Sequence, residues 1–290
     1  EQPQIVVRPA RPEDRGPVLA FSVNTFSWGD YLEQVWDQWF VDPKGQLFVA
    51  VADGLPIGVE HVTFVGEGEA WLQGLRVDPA FRQKGVGTTL TKETIRFAVD
   101  HGAHVVRFFT AVGNTPIERM MGHLGFQPVT TFSYFSVPAE LGAGQAPETA
   151  VLGEIERLWQ TVTGSAYFRL AAGNYCLGWR CRELTKARLA AHVSEGRVFV
   201  VREQGGPAVA AVVLPEGPPN TFWIAGLYGA GQGIRRLASQ LRAQAASVGA
   251  ERVDVLIPPD DGLAAELAAA KYAGEEEDSG DGLTLYAKEF

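Results

Sequence analysis

Leu75-Arg76-Val77-Asp78-Pro79-Ala80-Phe81-Arg82-Gln83-Lys84-Gly85-Val86-Gly87 is the stretch on which the reading of this 290-residue chain turns. An apolar run, Ala70 to Val77, reads as a strand and is stopped by Asp78-Pro79. Val86 to His101 reads as an amphipathic helix, with Gly102 where a left-handed cap belongs. Arg82 to Gly87 therefore lies between a strand and a helix amino terminus. Such a terminus leaves about four backbone N–H groups unpaired and carries roughly half a positive charge. A phosphate placed there satisfies both. Gly85 and Gly87 allow close backbone approach and positive φ, Arg82 and Lys84 add positive charge, and Thr88 offers a hydroxyl in the first turn. Gly-x-Gly after a strand is as often only a tight turn, so the glycines need their context. A dinucleotide loop would require a third glycine and an acidic residue about 20 positions on, and a kinase-type phosphate loop would end Gly-Lys-Ser/Thr. Gly85 is followed by Val-Gly-Thr, which fits neither.

Working outward, the periodicity predicts a short strand at Ile5–Val7 and helices over Arg11–Phe26 and Tyr31–Phe40. Leu47–Val51 and Ile57–Val65 form a hairpin around Asp53-Gly54. After the central helix come a strand at Val105–Val112, a helix at Thr115–Leu124 closed by Gly125, and a strand at Val129–Val137. Residues 138–147, rich in Pro, Gly and Ala, read as a linker between domains 1–137 and 148–290. The second domain repeats the element order loosely. Helices are expected at Glu148–Thr161, Cys181–His192, Ile234–Val248 and Gly262–Tyr272. Strands are expected at Val198–Arg202, Val209–Leu214, Thr221–Tyr228, Arg252–Ile257 and Leu283–Lys288. The fold class is α/β with two copies of one fold, the second heavily diverged.

Composition excludes several classes. The chain is 46% hydrophobic and 20% charged, an ordinary globular profile. The net charge of -9 is spread evenly: residues 1–137 hold 11 Lys+Arg against 15 Asp+Glu, and the remainder 14 against 19. Neither half reads as a nucleic-acid module. Cys176 and Cys181 make neither a disulfide framework nor a zinc site, and isolated thiols suit a cytoplasmic location. No metal is expected. Glu1-Gln2-Pro3-Gln4 shows no signal peptide, and no run of about 20 apolar residues suggests a membrane span.

From about Ile5 to Val137 the chain resembles the GNAT acyl-CoA N-acyltransferases. Leu75 to Gly87 is similar to that family's strand, its Val-x-Pro stop and its Arg/Gln-x-x-Gly-x-Gly/Ala pyrophosphate loop. Asn114, followed by Gly125-Phe126 at the end of the next helix, is similar to its second signature. The resemblance implies two tandem domains, each a mixed, mainly antiparallel sheet flanked by helices, with the second copy degenerate. It implies acetyl-CoA, or another acyl-CoA, as cosubstrate and a small-molecule amine as acceptor, in a monomer or homodimer. Backbone groups of Leu75 and Val77 would pair with the pantetheine amides. The amides of Gln83, Lys84, Gly85, Val86, Gly87 and Thr88, with Arg82, would hold the pyrophosphate. Asn114 would bond the pantetheine arm, although a helix cap also suits it.

Transfer requires a neutral amine, which for an alkyl ammonium of pKa near 10.4 costs roughly 4.6 kcal/mol at pH 7. The family's usual glutamate position holds Gln73 here, and its usual leaving-group tyrosine position holds Met121. The catalyst is therefore unassigned. Glu60 or His61 could accept a proton through water, and His123 lies near Met121; each has the competing reading of a solvated or satisfied structural residue. Glu69 reads as a solvated turn residue. Trp28, Tyr31, Trp36, Trp39 and Phe40 read either as an acceptor pocket or as core at helical spacing. The alternative to an enzyme is a non-catalytic acyl-CoA-binding sensor or interaction module. Gly229-Ala230-Gly231-Gln232-Gly233 occupies the equivalent turn of the second half and reads as a degenerate loop.

Overall fold

β2 (Gly45–Ala52) and β3 (Leu55–Gly66) are joined by Asp53 and Gly54 at φ 49° and 82°, the two left-handed residues that a type I′ hairpin requires. This hairpin organises the first half of the molecule, a computed structural model that describes residues 4–25, 29–142, 145–203, 206–274 and 282–290. Packing divides the chain into two units. The first comprises Glu1–Phe108, Thr115–Gln127 and Tyr286–Phe290; the second comprises Phe109–Asn114 and Pro128–Leu285. The division at 1–137 and 148–290 follows covalent order, whereas the packing units each take in a strand from the other half of the chain.

In the first unit, β1 (Val6–Pro9), β2, β3 and β4 (Glu69–Val77) run antiparallel in sequence order. β5 (Val105–Ala111) joins β4 in parallel. α1 (Arg15–Ser22) and α2 (Leu32–Phe40) lie on one face, where Val18, Leu32, Trp36 and Trp39 pack with Leu47, Val49 and Val59. Trp36 and Trp39 are thus core residues at helical spacing, with Tyr31 and Phe40 partly buried against them. Trp28 lies outside the described residues. α3 (Val86–Asp100) and α4 (Thr115–His123) serve the other core, in which Val86, Leu90, Ala98 and Met121 meet Val62, Leu72, Phe108 and Phe126. The chain's end completes this unit. Phe290 N–H donates to His104 O at 2.9 Å, and Tyr286 stacks on Phe108 with ring centroids 5.1 Å apart.

The second unit is built around β6 (Gln127–Pro138), β7 (Glu148–Thr149), β10 (Val198–Glu203), β11 (Gly206–Leu214), β12 (Thr221–Tyr228) and β13 (Arg252–Ile257). Their sheet order is β6-β13-β12-β11-β10-β7, with β14 (Ala273–Gly274) beside β6. Only β12 and β13 pair in parallel within this order. α5 (Ile155–Gly164), α6 (Ala166–Leu170), α8 (Gln232–Ser247) and α9 (Asp261–Ala269) accompany it, and β15 (Leu283–Glu289) ends the chain.

The helix expected over Cys181–His192 is corrected. β8 (Asn174–Leu177) and β9 (Arg180–Glu183) form a hairpin that pairs Cys176 with Cys181, and Gly178 at φ 60° reverses the chain. The register from Asn174↔Glu183 to Leu177↔Arg180 is an extended pairing that a helix cannot make. α7 (Lys186–Ser194) starts only after Thr185, whose hydroxyl accepts the Arg188 N–H at 3.2 Å. The Arg11–Phe26 helix likewise resolves into a short 3-10 turn followed by α1. No described helix is long and apolar enough to cross a membrane.

Candidate functional site

β4 and β5 pair only from Glu69↔Val105 to Trp71↔Arg107. Beyond Trp71 the strands separate, and the β4 edge from Leu72 to Val77 has no ladder partner on that side among the described residues. On its other side β4 is bulged. Val59 faces Arg76 and His61 faces Gln73, so Gly74 and Leu75 stand opposite Glu60 alone. Gly74 carries the bulge at φ 72°, and a Cβ there would meet the Trp39 ring at 2.4 Å. The result is a wedge between two strands with a distorted backbone at its apex.

The Arg82–Gly87 loop follows directly from the open edge. Asp78 caps the turn by accepting Ala80 N–H at 2.9 Å. Gln83 and Gly85 are left-handed, at φ 61° and 81°, and Gly85 is the N-cap of α3. A Cβ at Gly85 would meet nothing within 4 Å, so the backbone there opens to solvent. Gly87 lies against Met120 Sδ and the side chains of Val77 and Leu75. Arg82 and Lys84 are exposed and fold back on their own loop: Arg82 Nε donates to Val77 O at 3.2 Å and Lys84 Nζ to Ala80 O at 2.9 Å. Leu75 O accepts Arg76 Nη1 at 3.0 Å. A carbonyl has two lone pairs, so Leu75 and Val77 keep capacity for a further donor. Val86 is buried and Thr88 half-buried at the helix start.

On the α1/α2 face, His61 is 1% exposed and stacked on Trp39, ring centroids 4.8 Å apart at 8°. Its Nδ1 lies 2.9 Å from Gln73 Nε2 and its Nε2 lies 3.2 Å from Asp42 Oδ2. Burial opposes ionisation of Asp42, but hydrogen bonds from His61, Thr63 and the Lys44 backbone outweigh it and hold the carboxyl at about 2. Arg76 is paired with Asp30 at 2.6 Å and lies 5.1 Å from the Tyr31 ring centre.

Glu60 points the opposite way, beneath α3. Thr94 Oγ1 lies 2.8 Å from its Oε2 and Thr91 Oγ1 3.3 Å from its Oε1. Burial pushes this carboxyl up to about 7, against the two hydroxyls. The geometry suits the neutral acid: Thr94 has one proton and also sits 2.9 Å from Thr91 O, so a protonated Glu60 can donate to Thr94 while Thr94 donates to Thr91. Glu69 is not a solvated turn residue but is 2% exposed and paired with Arg107 at 2.6 Å. His123 is exposed on α4, and Met121, 2% exposed, is core. Asn114 Nδ2 donates to Thr110 Oγ1 at 2.9 Å, and packing assigns Asn114 to the second unit. The structure therefore brings Leu75, Val77 and Arg82 to Thr88 together at one edge, and separates Glu60, His61 and His123 on different sides of the unit. Among the described residues no group of three or more His, Cys, Asp or Glu could hold a metal ion.

Residues 17–126 match the Acetyltransferase (GNAT) family. This is a GNAT-family domain. A mycothiol acetyltransferase from Pseudarthrobacter chlorophenolicus is 31% identical over 104 residues, covering 33% of this chain and 31% of that protein. A GCN5-related N-acetyltransferase from Sphaerobacter thermophilus superposes with a TM-score of 0.63 at 16% identity, covering 98% of this chain and 95% of that one. A tandem GNAT protein from the clavulanic acid biosynthesis pathway does so with a TM-score of 0.55 at 14% identity, covering 99% and 98%. These two likenesses establish the tandem GNAT fold over nearly the whole chain.

The second GNAT copy keeps the wedge and fills it. β12 and β13 pair from Thr221↔Arg252 to Ile224↔Val255 and then part. A register shift between Val212 and Val213 bulges the neighbouring ladder. Into the opening comes Tyr167 of α6, fully buried, whose hydroxyl lies 3.1 Å from both Ala225 O and Leu256 O. Tyr228 packs on it edge to face at 5.2 Å. The glycines of the equivalent turn also differ. A Cβ at Gly229 or Gly233 would meet Val209 at 2.8 or 2.6 Å, so those glycines serve close packing on β11.

Sequence reading missed Tyr286, which the first unit acquires from the far end of the chain, and Asp42, which no motif marks. Asp42 lies inside the matched segment but in no motif, and Tyr286 lies far beyond it in the chain, so no spacing marks either residue.

Proposed function

We propose that the chain is an acyl-CoA-dependent N-acyltransferase, transferring acetyl from acetyl-CoA to the amine of a small molecule by direct attack in a ternary complex. The observation that carries this reading is the open β4 edge leading straight into an exposed, left-handed turn at the N-terminus of α3. Pantetheine lies along that edge, its amides on backbone groups of Leu75 and Val77, as an added strand would. The pyrophosphate meets the amides from Gln83 to Thr88, with Arg82 and Lys84 swinging from their loop contacts to neutralise it. The thioester then reaches the bulge, where the ladder is broken and a backbone N–H at Gly74–Leu75 is available to the oxyanion. The neutral amine attacks the carbonyl, its nitrogen gives up its surplus proton to solvent, the C–S bond breaks, and the thiolate takes a proton. Tyr286 is the acid we assign to that step, since its phenol lies in the same core cluster as Met121, where the family's usual tyrosine is absent.

Calorimetry with acetyl-CoA tests the binding half, with one site per chain expected. No binding at millimolar coenzyme, or unaltered binding in a Gly85→Glu/Gly87→Glu variant, sinks it. A non-catalytic acyl-CoA-binding module is the second reading, favoured by Gln73 and the core position of Met121. Thiol release in an amine screen decides between them.

A further inference from the structure

The acceptor face holds a built polar chain that the coenzyme reading leaves unused: Asp42, His61 and Gln73. His61 and Gln73 are direct cross-strand partners on β3 and β4. The ring of His61 is enclosed, 1% exposed and stacked on Trp39, and its nitrogens face Asp42 Oδ2 at 3.2 Å and Gln73 Nε2 at 2.9 Å. The other Asp42 oxygen accepts Lys44 N–H at 2.8 Å, and a Cβ at Gly45 would meet Asp42 Oδ2 at 2.7 Å, so the carboxylate sits in a close-fitting seat. An ionised carboxylate only accepts, so Asp42 at 3.2 Å favours the tautomer with its proton on Nε2, although the contact is not aligned as a full hydrogen bond; in that neutral ring Nδ1 accepts. Gln73 must then turn its NH₂ to His61 and its carbonyl oxygen away. That oxygen has no partner among the described residues, and Gln73 is half-buried one residue from the Gly74 bulge.

We propose that Gln73 is the acceptor-recognition residue: its amide oxygen, oriented by His61 and Asp42, accepts a hydrogen bond from the attacking amine without removing its proton, which restricts the acceptor to weakly basic amines. This rests on the N-acyltransferase reading above. An amide oxygen is not a base at neutral pH, and His61 is enclosed, with Nδ1 on Gln73, Nε2 turned to Asp42 and its ring stacked on Trp39. Glu60 is shut beneath α3. Asp30 is held by Arg76 at 2.6 Å, so with no uncommitted base at the bulge among the described residues the amine arrives as the free base. An alkylamine of pKa near 10.4 is about one part in 2,500 free base at pH 7, whereas an α-amino group of pKa near 8 is about one part in ten. The chemistry therefore favours α-amino groups of peptides and amino-acid amides, arylamines and hydrazines over alkylamines. Asp42 and His61 are positioning residues here.

Three measurements test the proposal on the full chain. First, nitrogen NMR of the His61 ring is expected to show the Nε2–H tautomer; a proton on Nδ1 alone would overturn the Gln73 orientation, whatever the activity. Second, thiol release from acetyl-CoA is measured at pH 7 against glycine amide, aniline, phenylhydrazine and a set of alkylamines. The expected kcat/KM falls close to tenfold per unit of amine pKa above 7; a flat or rising dependence overturns the proposal, as does coenzyme binding without turnover of any of the weakly basic amines. Absence of acetyl-CoA binding instead removes the underlying reading. Third, Gln73→Leu is expected to raise the amine KM about tenfold with the acetyl-CoA KM unchanged, while Gln73→Glu, which keeps an acceptor oxygen, retains amine affinity. Asp42→Ala, on the partly exposed end of the chain of contacts, should raise the amine KM several-fold; if it and Gln73→Leu leave that KM untouched, the role is lost.

Discussion

The two GNAT copies make the same wedge between parallel strands and put it to opposite uses. In the first unit the edge beyond Trp71 is open and leads to a loop whose Gly85 faces solvent. In the second unit the edge beyond Ile224 is closed by Tyr167, whose hydroxyl lies within bonding distance of the carbonyls of both parted strands. A parted pair of strands exposes backbone groups that must be satisfied by something. One copy leaves them open, where the proposed coenzyme would add as a strand does; the other sets the Tyr167 hydroxyl between two of them. The turns agree with this. Asp78 to Gly85 projects a left-handed loop carrying Arg82 and Lys84, while in the second turn Gly229 and Gly233 pack on Val209, and Gly231, at the N-cap of α8, is as open as Gly85 but has no Lys or Arg before it in the turn.

The largest expected effect breaks the open side. Gly85→Glu places a carboxylate, and strain at φ 81°, where the pyrophosphate would bind; acetyl-CoA affinity should fall at least about 100-fold by calorimetry. The comparison also requires a stoichiometry of one coenzyme per chain, and two would refute the closed reading of the second wedge. Next, Tyr286→Phe should lower kcat about 100-fold with little change in either KM if its phenol protonates the thiolate.

Glu60 supplies a pH test inside the open unit. Its folded value of about 7 exceeds the ordinary glutamate value of 4.5, so the folded protein binds more protons than the unfolded chain between these values. Stability should therefore fall as pH rises from about 4.5 to 7, by about 3 kcal/mol in all. Urea titrations at pH 5 and pH 8 should show this difference in the natural protein and much less of it in Glu60→Gln. The smallest effect sharpens the closed side. Tyr167→Phe leaves Ala225 O and Leu256 O buried without that donor, and should cost about 1–3 kcal/mol in urea denaturation while leaving coenzyme stoichiometry at one.

Much of the first unit was legible because its signals are local. Asp53-Gly54 needs only two left-handed residues in a row, and the α3 pattern follows from apolar spacing over a few turns. The second unit is less legible: over Cys181 to Glu183, charged residues around a lone apolar one fit a helix or a strand equally over so short a run. Glu69 was misread because a carboxylate beside Gly68 looks solvated until Arg107, on another strand, is brought to it.

By itself the sequence determined the fold class, the glycine-bearing turn at the start of α3, and the presence of Gln73 and Met121 where the family's usual base and acid are expected. These follow from residue identity and from spacings within a helix or a turn, where the backbone fixes the geometry. Only the tertiary structure decided which wedge is open, which residues hold Gln73, and that Tyr286 belongs to the first unit. Those facts depend on side chains far apart in the chain meeting at one place. That meeting is set by the sum of packing and hydrogen-bond satisfaction over a whole unit, which no local pattern records.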